Sequence, residues 1–219
     1  MLPYLLWGWA FLAVGFLVLW AVQRRTRDAA SLDLAWPAGL DLLVVGYAAT
    51  YPSYPARRSL VCLLGGLWAM RLAFRLYHER VRGASEDGPP RAPFPLLLAY
   101  QGRALAATLF SVPLLAAMRG SGIDRWCAAG VAVWLVAVTG ESLADRQPAR
   151  GRGDPANRGR TRRSGLAFFE WLHWFAYVLI GRGAPLTWLG PALVLAGVFI
   201  PSRKREDRAS FADPSQAPS

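Results

Sequence analysis

Seven apolar runs, parted by short connections that hold most of the arginines, constrain this chain more than any other feature. They cover about Leu2 to Val22, Leu34 to Tyr51, Leu60 to Tyr77, Leu96 to Met118, Trp126 to Glu141, Leu166 to Ile180 and Leu186 to Ile200. Apolar runs of this length are either buried core helices or membrane spans. Hydrophobic residues make up 54% and charged ones 18%, an excess over what a soluble domain needs. The pattern predicts an all-α, polytopic membrane protein of about seven transmembrane helices. Residues 1–200 form a single membrane-embedded domain, and 201–219 a polar, disordered cytoplasmic tail.

Local signals refine this picture. The first run ends at Arg24, Arg25 and Arg27 and has neither a basic lead nor a small-residue cleavage site, so it reads as a retained span. Ser31 and Asp33 open the second run as an N-cap pair. That run also carries Pro37 and Asp41, and the turn Tyr51-Pro-Ser-Tyr-Pro55 closes it.

Arginine supplies nearly all of the net charge of +11, because Lys204 is the single lysine. With the N-terminus outside, 17 basic residues fall on inner segments and 5 (Arg57, Arg58, Arg119, Arg125 and Arg182) on outer loops. Basic residues collect on the cytoplasmic side of membrane proteins, so the split predicts an outside N-terminus and an inside C-terminus. It also predicts an integral membrane protein with anionic lipid headgroups as partners and no nucleic acid, which calls for a soluble basic face.

Chemistry concentrates between Gly140 and Tyr177. Glu141 and Asp145 lie four apart and so share one helix face. Seven arginines follow between Arg146 and Arg163, and then Glu170 sits among Phe168, Phe169, Trp171 and Trp174. A carboxylate in an aromatic segment needs a donor, and a ligand hydroxyl or amide would serve. Simpler readings stand beside these: Asp33 as a helix cap, Arg71 and Arg75 reaching the headgroups, Glu86 and Asp87 solvated, and the arginine connection touching lipid phosphates. His173 reads as a packed interfacial residue. No catalytic triad, phosphate-cradling glycine loop or dinucleotide fingerprint is present, and Cys62, Cys127, His78 and His173 make neither a disulfide framework nor a metal site.

The ordered set SLDLAW at 31–36, SED at 85–87, GESLADRQ at 140–147, DPANRG at 154–159 and FFEWLHWFAY at 168–177 resembles the bacterial membrane proteins grouped with steroid 5-alpha reductase. The resemblance implies a seven-helix membrane fold that binds NADPH from the cytoplasmic side. It further implies hydride transfer to the beta carbon of an enone-type, hydrophobic substrate while an acid protonates the alpha carbon. Carried over by position, it implies that Glu141, Asp145, Asn157, Arg158 and Glu170 contact the cofactor and that Asp33 and Arg71 line the cavity.

The chain departs from that pattern in three places. Leu166 runs through Ala167 into Phe168 without the family's arginine-histidine-proline-asparagine-tyrosine segment. GPPRAPFPLLLAY replaces a tyrosine-bearing basic stretch after SED, and a short polar tail replaces the closing helix after Phe199. Two other readings therefore stay open: a non-catalytic, decayed membrane protein of the same fold, and a methyltransferase using S-adenosylmethionine, as in the isoprenylcysteine branch of the superfamily.

Overall fold

A computed structural model describes residues 1–26, 30–82, 93–146 and 155–197. Six α-helices follow one another: α1 (Leu2–Thr26), α2 (Ala30–Thr50), α3 (Pro55–Arg82), α4 (Pro93–Ala117), α5 (Arg125–Arg146) and α6 (Pro155–Ile180). A 3-10 turn, Pro185–Trp188, then leads into α7, helical over 189–197. Among the described residues there is no strand. Three helices are long and apolar enough to cross a membrane, over Leu2–Arg25, Pro55–His78 and Arg125–Ala144. Shorter apolar helices cover Leu34–Thr50, Gly165–Ile180 and Pro185–Gly197.

Each predicted run becomes a helix, with two instructive shifts. Helix α6 starts at Pro155, eleven residues before the apolar run does at Leu166. Proline suits the first helical position because its missing N–H has no partner there, and arginine is a good helix former. The arginine connection is thus in large part the first turns of α6. Helix α2 starts at Ala30, which puts Ser31 and Asp33 inside its first turn and not ahead of it.

The helices alternate in direction, so two ends can be told apart. α5 packs along α6, α2 along α3, and α4 against both α1 and α2. The core of buried residues runs from Leu12, Phe16 and Val44 through Trp68 and Leu114 to Trp174 and Tyr177. α5 and α6 approach closely: a Cβ on Gly130 would lie 2.8 Å from the Ala176 carbonyl oxygen, and one on Gly140 2.2 Å from the Phe169 ring. The outward face of α1 leaves Leu2, Leu6, Trp7, Phe11, Val14 and Val18 exposed, a run of apolar surface that water would not tolerate and lipid would.

One end is tied by polar contacts to backbone. Arg57, counted above among the outer loops, lies in the first turn of α3 and is 1% exposed. Its Nε donates to Ala117 O (2.9 Å), Nη1 to Gly122 O (3.0 Å) and Nη2 to Ile180 O. Ala117 and Ile180 close α4 and α6, so a cation meets the negative ends of two helix dipoles. Gly120, at φ +150°, passes so near that a Cβ would lie 2.8 Å from the Arg57 guanidinium carbon.

Asp124 caps α5 by accepting from Cys127 N–H (2.9 Å), and its other oxygen accepts from Arg182 Nε (2.6 Å). Those contacts hold its carboxyl at about 2, the Cys127 N–H contributing most and Arg182 next. α6 ends in a Schellman motif, with Gly183 N–H bonding Val178 O and Arg182 N–H bonding Leu179 O at 2.8 and 2.9 Å. Arg182 occupies the left-handed position at φ +54°.

Candidate functional site

At the opposite end α3, α5 and α6 bring three predicted site residues together. Arg71 Nη1 donates to Glu141 Oε2 across the α3–α5 contact. Glu141 is 4% exposed, and its Oε1 has no hydrogen-bond partner. Glu170, half-buried on α6, lies within electrostatic reach of Glu141, and Arg75 within reach of both. The spacing explains the convergence: Arg71 and Arg75 stand one turn apart on α3 and face two carboxylates from the neighbouring hairpin.

The backbone places Asp145 one turn beyond Glu141 at the end of α5, Asn157 and Arg158 in the first turn of α6, and Asp33 in that of α2. The side chains of these four lie outside the described residues, as do Glu86 and Asp87.

Beneath the charges lies an aromatic floor. His173 is fully buried, its ring stacked on Trp68 with centroids 4.6 Å apart and planes at 15°. Trp174 and Tyr177 are fully buried beside it, at 5.4 and 5.2 Å from the imidazole centroid, and Trp134 reaches it from α5 at 6.3 Å. His173 is therefore a core residue held among three helices and not an interfacial one. Both of its nitrogens lack a partner, as do the indole nitrogens of Trp171 and Trp174. A buried polar atom without a partner costs about 1–3 kcal/mol, so a cluster of them is more than a packing detail.

Two cavities stand out among the described residues, and neither touches this cluster. One of about 490 Å³ is lined by Leu2, Pro3, Leu6, Trp7, Trp9 and Ala10. The other, about 180 Å³, lies by Ala116, Arg119, Gly181, Ala184, Pro185 and Leu186. The former opens on the lipid-facing side of α1, and the latter adjoins the tied end.

Among the described residues the fold is an all-helical bundle in which three helices are long and apolar enough to cross a membrane and the Arg71–Glu141 ion pair lies between α3 and α5. The chain belongs to the family described as Protein of unknown function (DUF1295), whose profile matches residues 19–202. No curated protein and no solved structure matches the chain.

Proposed function

We propose that this chain is a membrane-embedded, NADPH-dependent reductase of the steroid 5-alpha reductase-like kind, acting on an enone-type hydrophobic substrate. In this reading it spans the bacterial inner membrane seven times, N-terminus out and C-terminus in, and takes the cofactor from the cytoplasm. One observation carries it: Arg71, Arg75, Glu141 and Glu170, from three helices, meet at the end where the arginine-rich start of α6 joins α5.

The described residues suit a dinucleotide in two respects. The guanidinium groups supply positive potential for phosphates. The unpartnered, buried Oε1 of Glu141 can accept from a carboxamide or a ribose hydroxyl, the kind of partner a buried carboxylate oxygen requires. Asp145, Asn157 and Arg158, at neighbouring helix ends, are assigned to the same cofactor, and Asp33 to the cavity wall. NADPH would supply the hydride when bound, and the buried rings of Trp68, Trp134 and His173 beneath the charges would exclude water there.

A second, non-catalytic reading is favoured by one feature: Arg71 is already engaged by Glu141, so the described site neutralises part of its own charge. The test is thermal unfolding of the purified protein in detergent with and without NADPH, followed by absorbance loss of NADPH with an enone lipid. Glu170→Ala and Asp145→Ala should each abolish stabilisation by NADPH while membrane insertion persists. Variants that respond to NADPH as the parent does would displace the site. A parent that responds to neither NADPH nor S-adenosylmethionine would establish the non-catalytic reading.

A further inference from the structure

The outward faces of this bundle are not chemically alike. On α1 the exposed side, from Leu2 to Val18, carries no ionisable group, and lipid alone can cover it. The outward face shared by α2 and α3 exposes Leu42 and Val45 on the first helix and Leu63, Leu67 and Met70 on the second. In its middle stands a carboxyl group, Asp41, half-buried and within electrostatic reach of Cys62. A Cβ on Gly66 would lie 3.0 Å from Asp41 Oδ1, so the acid rests in the shallow groove between the two helices.

Among the described residues no hydrogen bond and no ion pair reaches this acid. Asp41 lies seven residues from the start and nine from the end of the apolar helix Leu34–Thr50, about 10 and 13 Å along its axis. A side chain with one methylene cannot reach the headgroups across that distance. Ionisable side chains at such depth face the protein interior or pair with another group. One left unpaired on an outward face therefore calls for a partner from outside the chain.

The chemistry of the group selects that partner. A lipid tail has neither donor nor acceptor. A carboxyl that holds its proton both donates and accepts, so a second copy of the same group satisfies it. Two carboxyls facing each other across a two-fold axis exchange two hydrogen bonds, and one surface serves on both chains. A cation from a different protein would need the ionised form, whose bare charge hydrocarbon penalises far more heavily. The steric pattern agrees: Ala38, Leu42, Val45 and Ala49 recur on α2 at i, i+4, i+7 and i+11 as one exposed stripe. Alanine at both ends of that stripe, with Gly66 beside the acid, lets two backbones approach closely.

We propose that α2 and α3 form a homodimer interface within the membrane, centred on Asp41 paired with the same residue of a second copy. The interface stands apart from the cofactor question, since neither Arg71 nor Glu141 enters it.

The test is sedimentation equilibrium of the full chain in density-matched detergent, with disulfide trapping in membranes as a second readout. The parent should dimerise. Asp41→Leu should weaken association about tenfold, the loss of two interhelical hydrogen bonds. Its unfolding midpoint at monomeric dilution should stay at or above the parent's, which a role inside the chain would not allow. Asp41→Asn should keep the dimer, because paired amides also donate and accept. In a Cys62→Ala background, whose remaining Cys127 is buried, Val45→Cys should cross-link between chains under mild oxidant. Val14→Cys, on the outward face of α1, should not. A parent that stays monomeric at every concentration, an Asp41→Leu variant that associates as the parent does, or equal cross-linking at the two cysteine positions would each overturn the proposal.

Discussion

Removing both charges of the Arg71–Glu141 pair should spare the fold and destroy the site. Breaking a buried ion pair by removing one partner costs about 3–5 kcal/mol, because the other charge is left uncompensated. Here the Glu141 side chain is 5% exposed and that of Arg71 is 23% exposed. Water can reach the arginine end, which lowers the expected loss for Arg71→Met to about 2–4 kcal/mol. Glu141→Leu should cost less, since a long arginine side chain can swing its charge toward the headgroups. The double variant Arg71→Met/Glu141→Leu removes both desolvation penalties and should fall within about 1 kcal/mol of the parent, or above it. Reversible unfolding in mixed micelles titrated with dodecyl sulfate measures all four proteins and gives the coupling directly. NADPH at a hundred times its dissociation constant should stabilise the parent by about 2.7 kcal/mol and the double variant by nothing. A double variant as unstable as Arg71→Met would show that the pair serves the fold. A double variant stabilised by NADPH as the parent is would remove the pair from the cofactor site.

The tied end makes further predictions. Arg57→Met strands the carbonyls of Ala117, Gly122 and Ile180 and should destabilise by about 3 kcal/mol in the same assay. Arg57→Lys should recover only part of this loss, because one ammonium group cannot match three contacts of a planar fork. The Asp124 carboxyl sits at about 2 against an ordinary 3.8, so its contribution to stability is full above pH 4 and lost as pH falls toward 2. Asp124→Asn keeps an oxygen for the Cys127 N–H and should lose less stability than the parent between about pH 5 and 2, read from unfolding midpoints. Gly130→Ala drives a methyl group into the Ala176 carbonyl, which cannot yield as a side chain tip could. It should cost about 1–3 kcal/mol as overpacking, and a variant within experimental error of the parent would refute the close α5–α6 approach.

Apolar run length made the helices legible, and it fails where a helix is not apolar. The first three turns of α6 hold Arg158, Arg160, Arg162 and Arg163, so hydropathy alone starts the helix at Leu166. The proline of DPANRG was the available signal for its true start at Pro155. Arg71, Glu141 and Glu170 could be read as site residues because an ionisable group in an apolar run needs a partner, and the bundle brings all three together. Arg57 could not be read in this way. Its acceptors are backbone carbonyls 60, 65 and 123 residues away, and no side-chain pattern encodes them. His173 was visibly set among aromatic residues, but its isolation from any hydrogen bond depends on Trp68 of α3 and Trp134 of α5, which only the tertiary fold brings close.

The two ends of the bundle differ in how the helices are joined, and this difference bears on the site. At the Arg57 end one guanidinium fastens the ends of α4 and α6 to the start of α3, and Asp124 with Arg182 joins the start of α5 to the turn after α6. At the site end α3 meets the α5–α6 hairpin through the Arg71–Glu141 pair, with Arg75 within reach of Glu141 and Glu170. Local opening starts where side-chain contacts can be exchanged for a ligand's, so if α3 separates from the hairpin, the three backbone contacts of Arg57 are the expected pivot and Glu141 and Glu170 the expected mouth. A ligand that takes over the partnership of Glu141 would replace the tie it breaks, which couples binding to opening without any separate hinge. Amide hydrogen exchange should therefore show faster exchange near Glu141 and Glu170 than near Ala117 and Ile180. Arg71→Met should speed exchange at the first pair of positions and leave the second unchanged. Equal acceleration at both ends would mean that the bundle opens only by unfolding as a whole, and the pivot would be lost with it.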